Sequence, residues 1–186
     1  MDTQRKVILF IAMTLDGYIA KPDDDISFLS LVEQKGQDYG YAEFVKTVDT
    51  VIWGRKTYDK ILSFGISFPH PDKKVIVLTR TLKQKNRNVT FYSGDLKQLI
   101  DNLKGQKGKN IYVDGGAEIV NELMKQNLID ELIISIIPVL LGSGIALFQN
   151  NRPEAGLSLM NSTQYEKGLV QLHYQIQENR IEQSQS

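Results

Sequence analysis

The chain has 186 residues, enough for one well-buried domain and too few for two comfortable ones. Its 41% hydrophobic and 24% charged composition is that of a globular protein, and 22 Lys and Arg balance 22 Asp and Glu. No overall field therefore favours nucleic acid or an anionic membrane, and the absence of cysteine excludes disulfides, a thiolate nucleophile and a cysteine-held metal.

The first residues, Met1 to Lys6, are polar, and the apolar run that follows is broken by Asp16 and Gly17. Neither this run nor Leu132 to Leu141 has the length of a secretory leader core or a membrane span, so the expected location is the cytoplasm. Val7 to Met13 is a continuous apolar run ending at Thr-Leu-Asp-Gly, the pattern of a strand buried on both faces. Asp23 to Asp25 form a loop leading into Ile26 to Val32, and Tyr41 to Val48 has helical spacing after the glycine-bounded segment 36–40. Thr50 to Trp53 is a second strand, closed by Gly54 and followed by a helix from about Arg55 to Leu62. Lys74 to Leu78, Val89 to Tyr92 and Asn110 to Val113 read as strands, with amphipathic helices over Asp95 to Leu103 and Ala117 to Lys125. Leu132 to Val139 is a sixth strand. After Pro153, Leu157 to Thr163 and Leu169 to Ile176 read as a hairpin around Glu166-Lys167-Gly168, and Glu178 to Ser186 as a polar tail. Alternating strands and helices predict a single α/β domain over residues 1–177, mostly parallel, with helices on both faces and antiparallel C-terminal strands.

Three stretches carry residue types suited to a nucleotide. Trp53-Gly54-Arg55-Lys56-Thr57 follows a strand and opens a helix, where unpaired N–H groups and the positive end of the dipole attract phosphate. Gly54 allows close backbone approach, Arg55 adds a charged fork and Thr57 a hydroxyl; a plain turn with solvated cations is an equally simple reading. Gly115-Gly116-Ala117-Glu118 repeats the arrangement, without the G-x-G-x-x-G fingerprint, and its simpler reading is a tight strand-to-helix turn. Leu78-Thr79-Arg80 ends a strand, on the side where open α/β sheets bind ligands. Arg80 there is either a surface arginine or a partner for an extra ribose phosphate, which would select NADPH over NADH. Among carboxylates, Asp16 sits in an Asp-Gly turn and Asp38 in a glycine-bounded loop just before Tyr41. These three are the candidates for substrate contact or proton delivery. His70, between two prolines, and His173, in a strand pattern, have no metal-ligand partner at useful spacing; both are expected to be structural or exposed, and no metal site is expected.

Val7 to Ala20 (VILFIAMTLDGYIA), Asp49 to Asp59 (DTVIWGRKTYD), Lys73 to Arg80 (KKVIVLTR), Asn110 to Met124 (NIYVDGGAEIVNELM) and Asp130 to Phe148 (DELIISIIPVLLGSGIALF) follow one another as in a known family. The chain resembles the dihydrofolate reductase-like proteins, and is most similar to the branch related to the reductase domain of the bifunctional riboflavin-biosynthesis enzyme. The resemblance implies a three-layer α/β/α fold with NADPH across the strand ends. By position it places Ala12 and Ile19 beside the nicotinamide, and Gly54, Arg55 and Thr57 on phosphate. Leu78, Thr79 and Arg80 fall around the adenosine and its 2′-phosphate, with Gly115, Gly116, Ala117 and Glu118 under the pyrophosphate. Asp38 is the positional match to the acid that assists pterin protonation in true dihydrofolate reductases. Asp25-Ile26-Ser27-Phe28 replaces their tryptophan-containing substrate loop, and the deaminase domain of the riboflavin enzyme is missing. The leading expectation is an NADPH-dependent reductase of a small heterocyclic substrate, working as a homodimer through its C-terminal strands. The alternatives are a genuine dihydrofolate reductase, an NADPH-binding module without turnover, and an interaction protein whose glycine turns are only structural.

Overall fold

The computed structural model describes residues 4–63, 65, 68–81 and 88–177; the polar tail expected from Glu178 onward lies outside them. Ten strands lie among the described residues. In chain order the elements are β1 (Val7–Thr14), β2 (Tyr18–Ala20), α1 (Tyr41–Lys46), β3 (Val48–Gly54), α2 (Arg55–Ser63), β4 (Lys74–Leu78) and β5 (Val89–Tyr92). There follow α3 (Leu96–Lys104), β6 (Asn110–Val113), α4 (Ala117–Lys125), β7 (Glu131–Ile137), β8 (Ile145–Ala146), β9 (Leu157–Gln164) and β10 (Val170–Ile176), with 3-10 turns at Ser27–Leu31 and Glu166–Gly168.

Eight strands form one sheet in the order β5-β4-β3-β6-β1-β7-β10-β9. The first six run parallel, and β10 and β9 close the edge as an antiparallel hairpin. Strict alternation along the inner strands divides the core. Val7, Leu9, Ile52, Ile76, Ile111 and Val113 pack against α3 and α4 through Leu99, Ile100, Leu103, Val120 and Leu123. On the other face Ile8, Val51, Trp53, Val75, Val77 and Tyr112 meet Phe44 of α1 and Tyr58 of α2. This is the three-layer arrangement that two-sided burial of parallel strands requires.

Two details differ from the sequence expectation. Strand β3 starts at Val48 rather than Thr50, because the chain leaves α1 at Thr47 and Val48 already pairs with Asn110. The loop residues Ile145 and Ala146 pair with β2 as a small second sheet. Among the described residues no helix is long and apolar enough to cross a membrane.

Candidate active site

All six parallel strands end on one side of the sheet, and the three nucleotide-suited stretches lie there. At the centre two strand-to-helix junctions touch. The Gly54 N–H donates to the Gly115 carbonyl at 3.1 Å, and the Gly116 N–H donates to Thr57 Oγ1 at 3.0 Å. The starts of α2 and α4 are therefore locked side by side, which brings the positive ends of two helix dipoles together. A Cβ at Gly54 would lie 2.9 Å from Ile119 Cγ1, and Gly115 has φ +99°, so glycine is required by contact at one position and by conformation at the other.

Cations rim this region. Arg55 pairs with Asp59 at 2.7 Å and lies 5.8 Å over the ring of Phe91. Lys56 reaches across to Glu118 at 2.8 Å, and that bond, with the positive charges of Lys56 and Arg80, holds the Glu118 carboxyl below its usual range. Arg80 is exposed at the end of β4, just past buried Leu78, and Thr79 is anchored by its N–H to the Tyr92 carbonyl at 2.9 Å. Ala12 of β1 and Ile19 of β2 are half-buried on the far flank. Ala117 is buried in the first turn of α4.

The acids nominated from sequence occupy less central places. Asp38 is exposed and accepts the N–H groups of Gly40 and Ala42, which makes it a cap for α1 and holds its carboxyl low. Asp16 accepts the Thr14 hydroxyl at 2.5 Å and the N–H groups of Leu141 and Gly142 at 3.2 and 2.7 Å, tying the turn after β1 to the loop after β7. The Thr14 bond is the main reason its carboxyl sits below the usual range.

The carboxylate embedded in the site is Asp114, directly before the glycine pair and with its side chain 26% exposed. Its Oδ2 accepts the Trp53 indole N–H at 2.7 Å, and its Oδ1 accepts the Tyr112 hydroxyl. Burial, reinforced by the negative charge of Asp114, pushes the Tyr41 hydroxyl up to about 12, so Tyr41 keeps its proton throughout the neutral range. Tyr41 is therefore brought to this cluster, whereas Asp16 and Asp38 are not. In the sequence Asp114 reads as the polar flank of a glycine turn. The signal available was an acid placed between a wholly buried strand and Gly-Gly, where a solvated carboxylate has little room.

Strand order and layers together define a dihydrofolate reductase-like α/β protein. Residues 67–171 match the family of the RibD C-terminal domain, and the chain belongs to that family. The uncharacterized protein YwjB of Bacillus subtilis (strain 168) is 45% identical over 172 residues, covering 92% of this chain and 98% of YwjB. A Shewanella sp. PV-4 protein whose structure is named for riboflavin biosynthesis superposes with a TM-score of 0.84 at 31% identity, over 93% of this chain and 99% of that one. Dihydrofolate reductase from Enterococcus faecalis, complexed with NADP(H), shares the fold with a TM-score of 0.63 at 15% identity, over 96% and 100% of the two chains.

Proposed function

We propose that this protein is an NADPH-dependent oxidoreductase that reduces a small heterocyclic substrate. The observation that carries the reading is the pair of locked glycine junctions, which holds two helix starts side by side where one anion can meet both. Gly54, Arg55 and Thr57 are assigned to one phosphate and Gly115, Gly116, Ala117 and Glu118 to the pyrophosphate path. Leu78, Thr79 and Arg80 are assigned to the adenosine end, and Ala12 and Ile19 to the nicotinamide flank. Arg80 shares the rim with Lys56, which suits a 2′-phosphate and hence NADPH over NADH.

The dinucleotide, when bound, supplies the hydride; the chain's own task is to orient the acceptor and exclude water. Asp114 is a fixed hydrogen-bond acceptor suited to N–H groups of a heterocycle. Tyr41 retains a hydroxyl proton beside it and is assigned to substrate contact or proton delivery. Asp16 and Asp38 are assigned to holding the loop after β7 and the start of α1. The edge strand β9 exposes Leu157, Leu159 and Met160, which supports a homodimer through this edge.

Titration with NADPH and with NADH, followed by quenching of the single tryptophan, Trp53, tests the cofactor assignment. The expected result is tight NADPH binding and at least tenfold weaker NADH binding, with NADPH affinity falling about tenfold or more in Arg80→Ala, one lost charge-assisted contact being worth on the order of 1.5–3 kcal/mol. Equal affinity for the two nucleotides would remove the 2′-phosphate assignment. No binding of either would remove the oxidoreductase reading.

A further inference from the structure

His70 belongs to the segment between α2 and β4 and is 2% exposed. Its backbone carbonyl is held by the Asn88 side-chain amide at 2.7 Å and the Lys73 N–H at 3.3 Å, so the residue is fixed from behind. Its ring is packed against Trp53 at 5.7 Å and Tyr112 at 6.2 Å between centroids. Nε2 lies 3.4 Å from the Tyr41 hydroxyl and 3.9 Å from Asp114 Oδ2. Nδ1, on the other side of the ring, is buried and has no hydrogen-bond partner among the described residues.

These contacts decide where the ring proton belongs. On Nδ1 it would be a buried donor with nothing among the described residues to receive it, which folded proteins avoid. On Nε2 it faces the Tyr41 oxygen and the negative carboxylate together. The titratable groups around the ring are Tyr41 of α1, Tyr112 of β6 and Asp114 beyond β6, with Asp72 on its own segment paired to Lys73 at 3.2 Å.

We propose that His70 is a positioning residue that points an Nε2–H at Asp114, completing with Trp53 and Tyr112 an inner wall that fixes the carboxylate's outward edge toward the site. The role rests on the reading of Asp114 as the carboxylate that meets the substrate. His70 itself touches neither substrate nor cofactor.

The test uses the protein alone, without nicotinamide. His70 and His173 are its two histidines, so long-range proton–nitrogen correlation spectra of 15N-labelled protein read each tautomer directly. The expected pattern for His70 is the Nε2–H form; an Nδ1–H form overturns the proposal. A second arm follows the Asp114 side-chain 13C shift at one neutral pH. In His70→Asn, whose amide can occupy only the Nδ1 position, that shift moves; in His70→Gln, whose amide reaches the Nε2 position, it stays where it is. An Asp114 shift unmoved in both variants overturns the proposal, and if His70→Asn does not fold the wild-type tautomer still decides. Failure to bind NADPH would leave these results standing, while an Nδ1–H ring in an NADPH-binding protein would remove His70 alone.

Discussion

A methyl group on Gly54 would press into Ile119, a side chain of the first turn of α4, whereas one on Gly115 would have room, its nearest neighbour being Ile11 Cδ1 at 3.6 Å. The two glycines are thus needed for different reasons, and the difference is measurable. Gly115→Ala keeps the packing and strains a left-handed backbone, at a cost of about 1–2 kcal/mol, equivalent to a melting temperature lowered by about 3–6 °C. Gly54→Ala overpacks the contact by about 1–3 kcal/mol unless Ile119 turns away. Adding Ile119→Ala opens the space the new methyl needs and should recover part of the Gly54→Ala loss, while Gly115→Ala should be indifferent to it. Thermal unfolding of the single and double variants checks both. Loss of equal size in the two double variants would mean that the junction fails as a unit.

Among the elements, β7 carries a charge cluster away from the candidate site. Glu131 is buried where β7 meets β1 and β10, with Lys6 at 2.5 Å and His173 at 2.9 Å. Burial pushes its carboxyl up, but hydrogen bonds from Lys6 and His173 and their positive charges outweigh that and leave it below the usual range. The unfolded chain, with a carboxyl near the ordinary value of about 4.3, then binds the proton more readily than the native state does. The stability this provides is complete above that value and drains away as pH falls through the lower native one. Urea midpoints at successive pH values should fall more steeply below about pH 4.5 in the wild type than in Glu131→Gln. Parallel curves would show that the cluster adds nothing. His173 thus has a structural partner, as its strand position suggested, whereas β2 and β8 were invisible in sequence. A pairing of three residues with two has no periodicity to detect, and Gly142-Ser143-Gly144 beside it reads as a turn. Longer elements were legible because one apolar alternation serves two packed layers: β4, β5, β6 and α4 have the bounds their patterns predicted. The site was half legible. Glycines at helix starts announce themselves locally, but Asp114 becomes distinctive only when Trp53, His70 and Tyr112 arrive from distant parts of the chain.

At the scale of the whole molecule, the edge strand β9 is the place where a second copy would add. Its outer backbone has no strand partner among the described residues, and Leu159 and Met160 are 56% and 50% exposed beside it. Light scattering at micromolar concentration should give twice the chain mass, and Leu159→Glu with Met160→Glu should give the single mass while leaving the fold's circular dichroism intact. A single mass in the wild type would remove the dimer.

The strand order bears on how the protein is made. Strand β1 precedes both of its sheet neighbours, β6 and β7, in the chain, and pairs in register with Ile111 to Val113 and Glu131 to Ile137. On a ribosome adding about 5–20 residues per second, VILFIAMT therefore waits on the order of ten seconds for either flank to emerge. During that interval an apolar segment with two open edges must be shielded by collapse or by a chaperone. Slowing translation between Thr14 and Asn110 should then raise the fraction of chains lost to aggregation, whereas slowing it after Ile137, when both flanks exist, should have little effect.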